Sequence, residues 1–208
     1  MASGRPGDPI EQVTAAAGAG DVCALTFDDG PAGDDTEALL DGLAERGIRA
    51  VFCVVGGQIQ RPGGNDLLRR MVADGHVLAN HSTGFDDMGD WGAERVRADL
   101  AENLRIIRDA AGAEVPVPYW RAPNGSWGVT EQVALDLGMR PLGVVNHIGD
   151  WEVQDAEVLA ERLRTVMTPG SMVLAHDGPS DRAATVKAVL RVVDERLALG
   201  WRFTLPAP

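Results

Sequence analysis

The residues best equipped for chemistry come in five short phrases. TFDDGP carries two adjacent carboxylates, Asp28 and Asp29, ahead of a tight turn. Neighbouring side chains on an extended chain point opposite ways, which suits the pair to dividing labour, one on a metal and the other beside it. The same dipeptide also reads as a turn whose Asp residues cap a following helix, because Asp is favoured in both places. NHSTGFDDM adds His81, and an imidazole nitrogen with a carboxylate oxygen such as that of Asp29 is a usual donor pair for a catalytic zinc or similar divalent ion. Taken alone, His81 is as well explained as a satisfied polar residue. YWRAPNGSWG supplies Arg121, GDW supplies Asp150 and Trp151, and VLAHDGP supplies His176 in an apolar setting, where a partly desolvated imidazole makes an adequate general acid.

These groups need strands to hold them, and the pattern provides them. Short apolar runs alternate with amphipathic stretches: VCALTF is followed by a helix over DTEALLDGLAERG, with Leu39, Leu40 and Leu43 on one face, and then by the run IRAVFCVV. A helix, glycine, strand phrase recurs before HVLA, MRPLGVV and WRFTL, each glycine fitting a C-terminal cap. A long helix over AERVRADLAENLRIIRDAAG, with Val96, Leu100, Leu104 and Ile107 at helical spacing, precedes VPVPYWR, and another over DAEVLAERLRTVM precedes SMVLAH. The alternation predicts an α/β fold of about seven parallel strands and about six helices, a barrel or a doubly wound sheet. In both architectures chemistry belongs at the C-terminal strand ends. Asp28, Asp29, His81, Arg121, Asp150, Trp151 and His176 all follow predicted strands.

The chain has 208 residues, one domain by size, and its 45% hydrophobic and 24% charged fractions are those of a folded globular protein. A net charge of -12 repels phosphate backbones and anionic headgroups, so nucleic acid and membrane are not expected partners and a neutral or cationic substrate fits better. Oligomeric state is not legible. Cys23 and Cys53 sit in strand-like runs and read as free core thiols. Residues 1–20, rich in Gly and Ala without a period, read as a flexible arm before a single domain over 21–208. No charged start with an apolar stretch marks a signal peptide, which gives an expected cytoplasmic location unless a secreted form was trimmed.

In their order and spacing, TFDDGP, GHVLANHS, YWRAPNGSWG, GDW and VLAHDGP resemble the polysaccharide deacetylase family, carbohydrate esterase family four, over about residues 21–205. The resemblance implies a deformed (β/α) barrel and a hydrolase with one divalent metal, zinc first and cobalt or nickel as alternatives. Its substrate class is an N-acetylated or O-acetylated sugar or sugar-containing small molecule. By the family's pattern Asp28 is the catalytic base, Asp29 and His81 are metal ligands, Arg121 orients the base, and Asp150 pairs with His176, the acid for the leaving amine. Pro123, Asn124 and Trp151 would meet the substrate, with a backbone N–H near Asn124 facing the oxyanion.

Two positions depart from that pattern. A second metal-binding His is expected four residues after His81, where this chain has Phe85. Asp86, nearer the vacancy than Asp87, is the expected substitute ligand. An acid is expected three residues before Asp150, and His147 stands there. A homologue that binds carbohydrate without turnover, or one that hydrolyses another acyl group, is the competing expectation. Trp120 and Trp127 are left open between core and sugar contact, and His76, ahead of its strand, reads as structural.

Overall fold

Strand β1 (Val22–Asp28) is buried at all seven positions, as its uninterrupted apolar run requires of a strand covered on both faces. The computed structural model, which describes residues 10–207, builds the sheet outward from it. β2 (Val51–Val54), β3 (Val77–Asn80), β4 (Tyr119–Trp120) and β5 (Arg140–Pro141) follow on one side, and β7 (Ser171–His176) and β6 (Asn146–His147) on the other. Every ladder is parallel. β8 (Arg202–Thr204) shares an edge of β1 with β2, pairing at Val22–Ala24 where β2 pairs at Thr26–Asp28. The result is a curled half-barrel of one domain, the deformed barrel expected, with two-residue β6 as a strand the sequence pattern did not announce.

Seven α-helices cover the outside: α1 (Gly33–Glu45), α2 (Gly56–Ile59), α3 (Gly64–Ala73), α4 (Ala93–Ala111), α5 (Thr130–Asp136), α6 (Ala156–Val166) and α7 (Ala183–Ala198). The residues expected on apolar faces are buried, Leu39, Leu40 and Leu43 in α1 and Val96, Leu100, Leu104 and Ile107 in α4. Gly75 and Gly138, at φ 80° and 82°, turn the chain from α3 and α5 back into the sheet in the left-handed conformation that glycine adopts without strain. Among the described residues no helix is long and apolar enough to cross a membrane.

Strand alternation separates two cores. Leu25, Phe27, Phe52 and Val54 face the helices, whereas Val22, Ala24, Val51, Cys53, Ala79, Tyr119, Leu142 and Met172 gather inside the curl. Both cysteines are buried and free. The inward set continues upward along the strands into Asp28, His81, Arg121 and His176, so one periodicity fills the barrel and aims its polar groups at the C-terminal rim.

The segment expected as a flexible arm to residue 20 is pinned from Val13 onward. Val13 pairs with Leu142 beyond β5, Ala15 with Ser171 at the start of β7, and Ala16 with Pro206, and Val13 and Ala16 are buried. It bridges the chain beyond β5, at one end of the strand order, to the start of β7, which lies between β1 and the other end. Three backbone pairings, rather than a helical or strand period, hold it there, which is why its composition read as unstructured. Residues 1–9 of the expected arm lie outside the described residues.

Candidate active site

A cavity of about 520 Å³ opens at the C-terminal ends of the strands, lined by Asp28, Asp29, His81, Arg121, Asn124, Val144, Trp151, Leu174 and His176, among others. Asp28 ends β1 and is 3% exposed. Its Oδ1 accepts from Arg121 Nη1 at 2.6 Å, and the same nitrogen donates to Thr26 Oγ1 at 2.9 Å, two residues earlier on the same face of β1. Arg121 Nε donates to Leu142 O at 3.1 Å, which fixes the guanidinium plane. Burial by itself would raise the Asp28 carboxyl. Arg121, with His81 and His176 behind it, outweighs that and holds Asp28 below the usual carboxylate range.

His81, just past β3, donates or accepts through Nδ1 to the backbone at Arg121, and since Arg121 O is a carbonyl the ring must donate there, at 2.7 Å. Nε2 is then the nitrogen left to face the acids, 3.3 Å from Asp29 Oδ1 and 3.7 Å from Asp28 Oδ2. Burial lowers the affinity of His81 for a proton, and Asp28 and Asp29 more than reverse it, so its pKa is raised. Ser82 Oγ and the Thr83 backbone N–H donate to Asp99 on α4, tying the chain just after His81 to a helix.

At the end of β7, His176 Nδ1 lies 2.8 Å from Asp150 Oδ1, and its backbone N–H donates to Asp150 Oδ2 at 2.8 Å. Thr185 Oγ1 also donates to Asp150 Oδ2, at 3.1 Å, and Arg182 Nη1 donates to the Asp150 carbonyl at 2.7 Å. Burial raises Asp150, but its hydrogen bonds with His176 win and its pKa is lowered. For His176 burial pulls downward, and Asp150, followed by Asp28 and Asp29, raises it above the ordinary imidazole value. Its Nε2 is 4.0 Å from Asp29 Oδ2, so His176 and His81 face the same carboxylate from two strands.

Backbone strain marks the same rim. Among the described residues the non-glycine positions in the left-handed region are Asp29, Ser82 and Asn124, at φ 76°, 69° and 55°. Such conformations cost about 1–3 kcal/mol each and persist where the surroundings over-determine them. All three lie within two residues of a strand end or on the Pro123–Gly125 turn that follows β4.

The expected residues are thus largely brought together: Asp28, Asp29, His81, Arg121, Asn124, Trp151 and His176 line one cavity, with Asp150 behind His176. Pro123, expected against substrate, is instead buried behind that lining, while its neighbours Ala122 and Asn124 reach it. Asp86, expected as a metal ligand, is exposed and outside the lining. The physical reason is the loop: Asn124 Nδ2 donates to Phe85 O at 3.1 Å and to Asp87 Oδ1 at 2.9 Å, which ties residues 85–87 to the outer rim, with Phe85 42% exposed. Trp120 belongs to the core, its Nε1 donating to Thr130 Oγ1, and Trp127 packs partly buried against it. His76 is structural, accepting the Ala50 N–H at Nδ1, and burial holds its pKa down at about 4.

The donors therefore suit a divalent cation in part. Asp29 and His81 present an oxygen and a nitrogen 3.3 Å apart, with the second His81 nitrogen held by a carbonyl as in oriented metal ligands. Among the described residues no group of three His, Cys, Asp or Glu side chains gathers to complete a shell. Sequence reading missed Thr26, Arg182 and Thr185. The signal for Thr26 was its place two residues before Asp28 on one strand face; Arg182 and Thr185 lie on and before a distant helix and carried none.

The polysaccharide deacetylase family model matches residues 15–142, and the chain belongs to that family. A chitooligosaccharide deacetylase from Sinorhizobium fredii is 36% identical over 172 residues, 80% of this chain and 77% of the relative. A family 4 acetyl xylan esterase from Clostridium thermocellum, solved with a cobalt ion, superposes with a TM-score of 0.79 at 27% identity, covering 88% of this chain and 87% of that one. A CE4 family pseudoenzyme from Bacillus anthracis superposes equally well, 0.79 at 20% identity over 88% of this chain and 63% of that one. Fold likeness alone therefore does not separate turnover from its absence.

Proposed function

We propose that this chain is a deacetylase that hydrolyses the N-acetyl amide of an amino sugar, in an oligosaccharide or a sugar-containing small molecule. The carrying observation is that one cavity holds a carboxylate paired with Arg121 at 2.6 Å and an imidazole paired with Asp150 at 2.8 Å, the first shifted towards its ionised form and the second towards its protonated form, as a base and an acid require. The Sinorhizobium relative, named for chitooligosaccharides, supports the sugar class.

Asp28 has Oδ1 committed to Arg121, so Oδ2 is the oxygen free to take a proton from the attacking water. His176 has Nδ1 committed to Asp150, so Nε2 carries the proton that the leaving amine needs. An amine departs only when protonated, and the raised pKa of His176 favours the protonated ring that can supply it. Trp151, half exposed on the cavity wall, offers an apolar face to the sugar, and the backbone at Asn124 supplies polar groups on the rim. Asp29 and His81 would hold a divalent cation, zinc, cobalt or nickel by donor type, whose chemistry is to polarise the acyl oxygen and lower the pKa of water towards about 7.

The test is release of acetate and primary amine from N-acetylated chitooligosaccharides after loading with zinc, cobalt or nickel, run beside O-acetyl and N-formyl compounds. Equimolar acetate and amine are expected. Hydrolysis of the O-acetyl esters alone would reassign the bond cleaved, and hydrolysis of the N-formyl amides alone the acyl group. A second reading, sugar binding without turnover, draws on the exposed Phe85 and the two-donor site. It predicts saturable oligosaccharide binding with no acetate released.

A further inference from the structure

His147 stands where an acid was expected, and it makes no ion pair with the catalytic groups. It stacks instead on Trp151, ring centroids 4.9 Å apart and planes tilted by 39°. Trp151 in turn presents its ring to His176 edge to face, at 5.5 Å and 79°. Three aromatic rings therefore run in file from the rim to the proposed acid.

The supports of the three differ. His147 lies on β6, whose residues Asn146 and His147 pair in register with Val173 and Leu174 of β7, and Asn146 Nδ2 also donates to Met172 O at 3.3 Å. Trp151 lies on the turn after Gly149, closed by the Glu152 N–H donating to Gly149 O, and is 51% exposed. An indole so exposed on a turn has few packing neighbours to hold its rotamer, whereas the ladder of β6 sets the direction in which the side chain of His147, itself exposed, leaves the strand. His176 is anchored at Nδ1 by Asp150, a single side-chain hydrogen bond whose slack leaves the ring a small tilt, limited by what touches its face or edge.

We propose that His147 is a positioning residue: it braces Trp151, and through Trp151 fixes the ring plane of His176 so that Nε2 is aimed at the leaving group. The inference deepens the deacetylase reading and rests on it for its kinetic part. The contact is aromatic, so Phe at position 147 keeps it and Ala does not.

Two measurements test this on the full chain. In kinetics, His147→Ala lowers kcat for the N-acetyl amide by roughly two- to tenfold, the scale of one aromatic contact, while kcat for an activated acetyl ester, whose leaving group needs no proton, stays within about twofold. His147→Phe restores the amide rate, and adding His147→Ala to Trp151→Ala has no further effect. In NMR, the ring C–H signals of His176, one of four histidines, carry the ring-current shift of Trp151. Trp151→Ala and His147→Ala move them in the same direction, and His147→Phe does not. Unchanged His176 signals in His147→Ala overturn the brace, and so does an equal loss on amide and ester. The NMR result stands whether or not the parent turns over, so a parent that releases no acetate sinks the deacetylase reading while the brace is still decided.

Discussion

At the ends of β1, β4 and β7 the polar groups of the cavity are held in pairs, Asp28 with Arg121 and Asp150 with His176, Thr185 and the His176 backbone, at 2.6–3.1 Å, while Asp177 Oδ1, just past β7, is buried without a partner among the described residues. Past the end of β3 the pairing runs through Ser82 and Thr83, both bound to Asp99 on α4, and does not reach the next acids as part of the cavity. His81 meets Arg121 O and Asp29, but the next acids, Asp86 and Asp87, are exposed, and Asp87 is bound to the rim residue Asn124. The difference follows from support. Groups in the first region sit on or next to strands whose ladders fix their direction, and their charges are buried in compensated pairs. Those in the second ride a loop that leaves the sheet after Ser82. The proposed proton-handling groups are therefore held by strands and paired charges, and the proposed cation site has only two donors so held.

The largest effect expected from breaking the first region is on the fold. Arg121→Ala strands the Asp28 carboxylate at 3% exposure and should cost about 3–5 kcal/mol in denaturant unfolding, the scale of a broken buried pair. A loss under about 1 kcal/mol would mean that water or His81 compensates Asp28 unaided. Next comes His176→Ala, which should reduce amide turnover by roughly 10²-fold while sparing activated esters; equal losses on both would make His176 a binding group.

Asp150→Asn separates the acid from its tuning. His176 is raised chiefly against burial by Asp150, and a raised imidazole carries its proton below its folded pKa and loses it as pH rises through that value. Removing the Asp150 charge lowers that pKa, so the basic limb of the kcat profile should move to lower pH. The stability contributed by the pair, present below the unfolded His value of about 6.5 and lost as pH rises through the folded one, should shrink with it. An unmoved limb would assign it to another group. The smallest effect is expected in the second region: Asp86→Ala should leave cobalt affinity by calorimetry within about twofold, and a weakening of tenfold or more would return Asp86 to the shell.

How far the sequence carried the reading varies with what each residue depends on. Asp28, Arg121 and His176 were legible because a strand's period of two and its C-terminal end place a side chain almost by counting. The α1 and α4 faces were legible for the matching helical reason, and Gly75 and Gly138 as caps. Val13 and Ala16 were not, since an isolated apolar residue in a Gly and Ala stretch has no period to declare its partners. Thr185 and Arg182 reach Asp150 only through the packing of the last helix. Asp86 was misplaced because nearness along a loop says nothing of direction, which here is set by Asn124, 38 residues away in sequence.

The most direct test of base and acid chemistry at this rim is acetate release from an N-acetylated chitooligosaccharide by the cobalt-loaded parent and by Asp28→Asn, with metal content measured in both. The account predicts turnover by the parent, a fall of roughly 10²-fold or more in Asp28→Asn, and equal metal content. Full activity in Asp28→Asn, or no acetate from a parent that binds the sugar and the metal, would contradict it.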